Sequence, residues 1–379
     1  MAEFKLPPVS PLGGTTISNF FRVLRGKKIA PRYYSRIPVT IILILFCSLF
    51  HWIDRLYFFL NKKRLKIQEP PVFILGHWRS GTTLLHNLMT QDPSSAYVTT
   101  YHAVFPNNLK SQWFLRPLMR AFMPEVRPGD NLRLAVHLPQ EDEYALSNMT
   151  EAAYYHVFYF PRSYKTYYNN FVRFESAQPQ EIDRWEKTYK RIIRRAIHDT
   201  VGYRPILKNP VNTGRIPRLT HIFPGAKYIF IMRNPITTYL SSKKFFTQLY
   251  PTVNLEEFSG EEISRMVLDI YVELLNDYLK DRELIDPAHL IEIRFEEFEL
   301  NPLEHLERIY RQFDIGDFAK LQPLMRSYLE TQKEHKMHGY KISRQELDVV
   351  LEKLDFAMKY WDYSIPNDLD IIESIVDQT

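Results

Sequence analysis

Arg79, Lys208 and Arg233 each follow a short apolar run rich in β-forming residues, at 72–75, 203–210 and 226–232. Cations at neighbouring strand ends can hold a multiply charged anion, and the residues around them suit group transfer. From 76 to 83 the chain reads Gly-His-Trp-Arg-Ser-Gly-Thr-Thr. Gly76 and Gly81 bracket a tight turn, and Ser80, Thr82 and Thr83 bring hydroxyls. Backbone N–H groups and the positive end of the helix that follows converge on the same point. The glycine spacing fits the frame of a nucleotide phosphate loop, which then requires Lys and Ser/Thr, the hydroxyl holding Mg²⁺. Here Thr82 and Thr83 stand in those places and the cation, Arg79, lies inside the loop. A guanidinium fork with hydroxyls and backbone donors grips phosphate without that metal arrangement, so no metal is expected.

Two further groups could complete such a site. Ser241 lies eight residues after Arg233, and a helix starting at Pro235 turns it back toward the strand end. A base must accept the acceptor's proton. An imidazole suits that task, and His102, in Thr99-Thr-Tyr-His102, is the first candidate. Glu141, in Gln140-Glu-Asp-Glu143, is the second candidate, although acids after a proline also suit a helix N-terminus.

The elements that must carry these residues alternate between strand and helix. Leu84, Leu85, Leu88 and Met89 recur at helical spacing after the loop. Helices are predicted at 213–223, 236–247, 261–282 and 303–313, and a further strand at 290–295. Such alternation predicts an α/β fold, a P-loop-like parallel sheet flanked by helices. Ligands of such sheets bind beyond the carboxyl ends of the strands, which sets the three cations on one rim.

Residues 1–36 read as an irregular basic arm. The stretch 37–53 is the most apolar, at ~17 residues the short limit for crossing a bilayer. It begins too far in, and lacks the small-residue cleavage site, to be a signal peptide. Three readings stay open: a helix lying in the membrane interface, a helix packed in the core, and a span. The organisation is then 1–69, basic arm plus apolar helical segment, and 70–379, catalytic domain. Trp113, Phe114, Leu118, Met119, Phe122 and Met123 form a helix-like apolar set expected to pack against the N-terminal segment.

Arg79-Ser-Gly-Thr-Thr83 after a strand resembles the 5′-phosphosulfate loop of sulfotransferases. The wider run from Gly76 to Asn87 resembles the bacterial branch of that superfamily, related to the tyrosylprotein sulfotransferases. Arg233-Asn-Pro-Ile-Thr-Thr-Tyr-Leu-Ser241 is similar to its 3′-phosphate motif. The resemblance implies 3′-phosphoadenosine 5′-phosphosulfate as co-substrate. Arg79, Ser80, Gly81, Thr82 and Thr83 would hold its 5′ end, and Arg233 and Ser241 its 3′-phosphate. It also implies that Arg79 acts near the leaving group and that Lys208 stabilises the transition state. The sulfuryl group in flight carries less negative charge than a phosphoryl group, so side-chain cations can suffice. That branch uses a Glu base near the position where this chain has His102. The resemblance spans roughly 70–315. The 333–341 run reads as a solvated charged loop, although C-terminal basic loops of the superfamily add cations to the nucleotide.

A net charge of +5 over 379 residues suits an anionic ligand or a membrane surface, and is too dispersed to argue for nucleic acid. The single cysteine, Cys47, excludes an intramolecular disulfide and fits a reducing, cytoplasmic setting, with peripheral membrane contact through 37–53. The acceptor reads as a hydroxyl on a lipid, a carbohydrate or a small molecule; the 24 Tyr and 25 Phe and the apolar segment lean toward lipid. Two rivals are a nucleotide-dependent kinase and a non-catalytic nucleotide-binding module docked at the membrane.

Overall fold

The computed structural model describes residues 11–62, 65–123, 134–331 and 339–373. Helices α1 (Ile17–Leu24), α2 (Arg36–Ser48) and α3 (His51–Leu60) precede strand β1 (Val72–Leu75). Then come α4 (Thr82–Met89), β2 (Ser95–Ala96), α5 (Thr100–Val104), α6 (Gln112–Phe122), α7 (Asp142–Met149), α8 (Tyr164–Phe171) and α9 (Pro179–Thr200). The next run is β3 (Arg204–Lys208), α10 (Ile216–Ile222), β4 (Lys227–Met232), α11 (Pro235–Val253), α12 (Gly260–Asp281) and β5 (Leu290–Arg294). The chain continues through α13 (Phe295–Leu300), α14 (Pro302–Phe313), α15 (Phe318–Glu330), β6 (Lys341–Ser343), α16 (Arg344–Tyr360) and β7 (Asp370–Ile372).

The main sheet is parallel, in the order β2-β3-β1-β4-β5. Val72 pairs with both Ile206 and Lys227, which fixes β1 at the centre. Because side chains alternate across a strand, a sheet covered on both faces needs apolar residues at every position. The three central strands meet that need. Phe73, Leu75, Leu207, Tyr228 and Phe230 point into one core. Val72, Ile74, Ile206, Ile229 and Ile231 point into the other, against Leu85, Leu88 and Met89 of α4 and Ile309 and Phe313 of α14. A separate two-stranded parallel pair, β6 and β7, lies near the C-terminus.

Two expectations need correction, those for the N-terminal arm and for 213–223. Residues 11–36 are not an irregular arm: α1 is capped by Thr16, and Leu12, Phe20 and Val23 are buried in the main core. The stretch 37–53 is divided between α2 and α3, which bend by 42° at the break. Among the described residues no single helix is long and apolar enough to cross a membrane, although the bent pair together has the length and composition. The expected helix at 213–223 starts late, because Pro210–Gly214 is a 3-10 turn capped by the Asn209 side chain. Residues 333–338 of the basic C-terminal run lie outside the described residues.

Candidate active site at the carboxyl ends of the strands

The loop after β1 depends on its two glycines. Gly76 has φ +135°, and a Cβ there would lie 2.6 Å from the Ile231 carbonyl oxygen of the neighbouring strand. Gly81 has φ +100°, and its Cβ would lie 2.0 Å from Cδ2 of Phe295. Between them Arg79 itself adopts φ +70°, a left-handed conformation that costs a side-chain-bearing residue energy. The Gly76 N–H donates to Thr213 Oγ1 at 2.8 Å, and the Ser80 hydroxyl donates to the His77 carbonyl at 2.8 Å, closing the loop on itself. Gly81, the N-cap residue of α4, brings no side-chain cap to the first-turn N–H groups of that helix.

Arg79 Nε–H donates to Ser241 Oγ at 3.0 Å, and Arg233 Nη1 donates to the Arg79 carbonyl at 3.1 Å. The loop, the end of β4 and α11 therefore meet at one place, and all the expected donor-binding positions lie together. The helix that carries Ser241 starts where the sequence implies, because Asn234 accepts the N–H groups of Ile236 and Thr237 and Pro235 supplies the first helical φ. The Arg233 guanidinium sits 4.8 Å from the centre of the Phe295 ring. Burial draws its pKa below the ordinary arginine value, and Tyr340, Glu299 and Glu296 oppose that shift.

Lys208, the last residue of β3, is 2% exposed and donates to Glu141 Oε1 at 2.5 Å. The other carboxylate oxygen accepts the Tyr155 hydroxyl, and Tyr155 in turn accepts Trp78 Nε1–H at 3.1 Å. A buried chain thus runs from the loop between β1 and α4 through Trp78, Tyr155 and Glu141 to Lys208. Burial, with Glu141 beside it, raises the Tyr155 pKa well above its ordinary value, so the phenol stays a donor. Each carboxylate oxygen of Glu141 retains a lone pair for a further hydrogen.

His102 stands elsewhere. Its Nδ1 accepts the Thr99 N–H at 3.2 Å in a capping box at the start of α5, and its Nε2–H donates to Asp199 Oδ2 at 2.8 Å. Asp199 also accepts Gln112 Nε2 and Arg116 Nη2 at 3.0 and 3.1 Å. Both ring nitrogens are engaged in a network that joins α5, α6 and α9. Glu141 is the candidate base that the fold brings to Lys208.

The acids next to Glu141 do more than attend a helix terminus. Glu143 is fully buried and takes a two-pronged bond from Arg215, at 2.5 and 2.8 Å, with the Asn209 side chain and the Tyr154 N–H completing its shell. Asp142 accepts the Tyr189 hydroxyl of α9, and Asn212 donates to that hydroxyl at 2.8 Å. None of these partners was apparent from local sequence. The available signal was three consecutive acids in an apolar context, more charge than one helix terminus needs. Among the described residues, no group of His, Cys, Asp and Glu is arranged to hold a metal ion.

A family profile described as "Sulfotransferase family" matches residues 70–319. The chain is 32% identical over 287 residues to the omega-hydroxy-beta-dihydromenaquinone-9 sulfotransferase Stf3 of Mycobacterium bovis, covering 76% of this chain and 73% of that protein. The Mycobacterium tuberculosis protein of the same name matches equally. Among solved structures, sulfotransferase STF9 from Mycobacterium avium has a TM-score of 0.70 at 17% identity, over 90% of this chain and 89% of that one. Sulfotransferase STF1 from Mycobacterium tuberculosis has a TM-score of 0.58 at 17% identity, over 87% and 88% of the two chains. At such identity these two likenesses speak for the fold.

Proposed function

The chain belongs to the sulfotransferase family, and from that premise we propose that it moves a sulfuryl group from 3′-phosphoadenosine 5′-phosphosulfate to a lipid hydroxyl, with Glu141 as general base. It is an enzyme of the sulfotransferase class, which displaces the kinase reading. The observation that carries the residue assignment is the buried Glu141–Lys208 contact, linked through Tyr155 to Trp78 of the phosphate loop.

In this reading Glu141 accepts the proton of the acceptor hydroxyl as its oxygen attacks sulfur. The new O–S bond forms while the bond from sulfur to the bridging phosphate oxygen breaks. The electron pair goes to the 5′-phosphate, and adenosine 3′,5′-bisphosphate leaves. Lys208 and Arg79 stabilise the negative charge that grows on the bridging and terminal oxygens. Arg233 and Ser241 hold the 3′-phosphate, and the α4 N-terminus with Ser80, Thr82 and Thr83 holds the 5′ end.

The lipid class of acceptor is supported by the relative, whose name gives omega-hydroxy-beta-dihydromenaquinone-9 as its substrate. We further propose a cytoplasmic location. The test is calorimetric titration with adenosine 3′,5′-bisphosphate, joined to transfer of labelled sulfate from the donor into a lipid extract. Wild type should bind the bisphosphate and label a lipid. Unchanged affinity in both Arg79→Ala and Arg233→Ala would overturn the site.

A further inference from the structure

The N-terminal helices carry an apolar face that the described residues leave exposed. Ile42, Leu45, Leu49, Trp52, Leu56 and Phe59 are exposed at helical spacing along α2 and α3, with Phe59 at 75%. The opposite face is docked. Ile44, Cys47 and Phe58 are buried, Asp54 accepts the N–H groups of Leu109 and Lys110 at 2.7 and 3.0 Å, and Arg36 donates to the Asn254 and Pro251 carbonyls. Helices held to the body along their length, apolar outward, have the character of an interfacial element.

Helix α6 extends the same face. Phe114 joins Phe46 and Phe50, with ring centres 6.0 and 5.9 Å away, while Trp113 and Phe122 beside it are 72% and 67% exposed. Exposed apolar surface that continues across separate elements marks an interaction site. Its surroundings identify the partner. On the docked side of α3, Phe58, with Lys62 and Leu65 past the helix end, forms one wall of a groove of ≈ 910 Å³ whose other wall is α9. On α9, Lys187, Lys190, Arg191 and Arg194 recur at i, i+3, i+4 and i+7, against a single lining acid, Asp183. Arg55 of α3 and Arg120 of α6 are also exposed.

We infer that α2, α3 and α6, together with the basic groove between α3 and α9, form a docking surface for a lipid bilayer bearing anionic headgroups. Apolar side chains enter the headgroup boundary, Trp52 and Trp113 sit at that level, and the basic groove meets the negative surface. A second copy fits less well, because it carries the same net charge of +5 and would bring more basic residues to a basic face. The inference does not depend on which acceptor is used.

The test is co-sedimentation of the full chain with vesicles of phosphatidylcholine alone or mixed with phosphatidylglycerol. Binding is expected on the mixed vesicles and should weaken as salt rises. Trp52→Glu with Trp113→Glu should abolish it. Lys187→Gln, Arg191→Gln and Arg194→Gln should each weaken it by about fivefold. Affinity for adenosine 3′,5′-bisphosphate serves as the fold control and should be unchanged in all of them. The inference fails if wild type ignores anionic vesicles or if the variants bind as wild type does. It also fails if, without vesicles, sedimentation velocity reveals a dimer that the Trp113→Glu change dissociates. Loss of bisphosphate binding with vesicle binding intact would count against the transfer reading and not against docking.

Discussion

Glu141 is held from two sides, by Lys208 and by Tyr155, and a carboxylate so fixed can receive a proton only along its remaining lone pairs. Glu141→Gln keeps the shape and removes the basicity. Its turnover should fall by ~10²–10⁴ while affinity for adenosine 3′,5′-bisphosphate changes little, as read by steady-state kinetics beside calorimetry. His102→Gln should instead leave turnover near wild type and lower stability, because it cuts the bond to Asp199; a matching fall in turnover would return the base to His102. Asp142 makes a separate, pH-dependent prediction. Burial, with Glu143 beside it, pushes its pKa up to about 7 against the opposing pull of Tyr189, Arg215 and Asn209. The folded state therefore keeps a proton that the unfolded chain releases near pH ~4. That contribution to stability is complete below pH ~4 and is lost as pH rises through about 7, amounting to at most ~4 kcal/mol. Asp142→Asn should flatten this decline, seen as a smaller difference between urea midpoints at pH ~5 and ~8. At this scale the sequence was legible where chemistry is contiguous. Arg79, Arg233 and Ser241 sit in local motifs and do meet in space. Glu141 and Lys208 are 67 residues apart, and Glu143 and Arg215 are 72 apart, so only the folded chain pairs them.

The loop between β1 and α4 works as a unit because Phe295, at the start of α13, packs where Gly81 has no side chain. Gly81→Ala meets both that ring and a positive φ. It should lower stability by ~1–3 kcal/mol and weaken adenosine 3′,5′-bisphosphate binding more than ~10-fold, measured by thermal melts and calorimetry. A variant that binds normally would mean that the loop relaxes without consequence for the anion. Strands β1 and β4 were readable to within a residue because burial on both faces leaves only apolar, β-branched and aromatic runs between turns, and β5 because its buried and half-buried positions alternate. The helical start at 213 was misjudged for a local reason. Asn209 caps a tighter 3-10 turn, which brings Thr213 to the Gly76 N–H, a tertiary use that no helical periodicity reports. The apolar run 37–53 was ambiguous because composition alone cannot tell a helix with one face docked from one buried all round.

Helix α7 packs against α5 and α9, and the N-terminal residues join that packing. Thr15 Oγ1 donates to the Asn148 carbonyl at 2.8 Å and Asn19 Nδ2 to the Ser147 carbonyl at 3.1 Å, both near the C-terminal end of the helix whose other end bears Glu141. Phe20 is fully buried in the same core as Phe73 and Leu75 of the central strand. The α/β class was legible from alternating elements, but this integration was not, because the many prolines, glycines and basic residues of the arm hide the few apolar positions that anchor α1. We propose on this ground that residues 11–62 and the sheet unfold together. Phe20→Ala removes a large buried ring far in sequence from the strand tips and should cost ~3–5 kcal/mol. If the packing is shared, that loss lowers one cooperative transition followed by circular dichroism, and bound adenosine 3′,5′-bisphosphate raises the same transition in wild type and variant alike. Two transitions, with the ligand-sensitive one unmoved by the substitution, would instead make the N-terminal helices a separate unit laid on the catalytic domain.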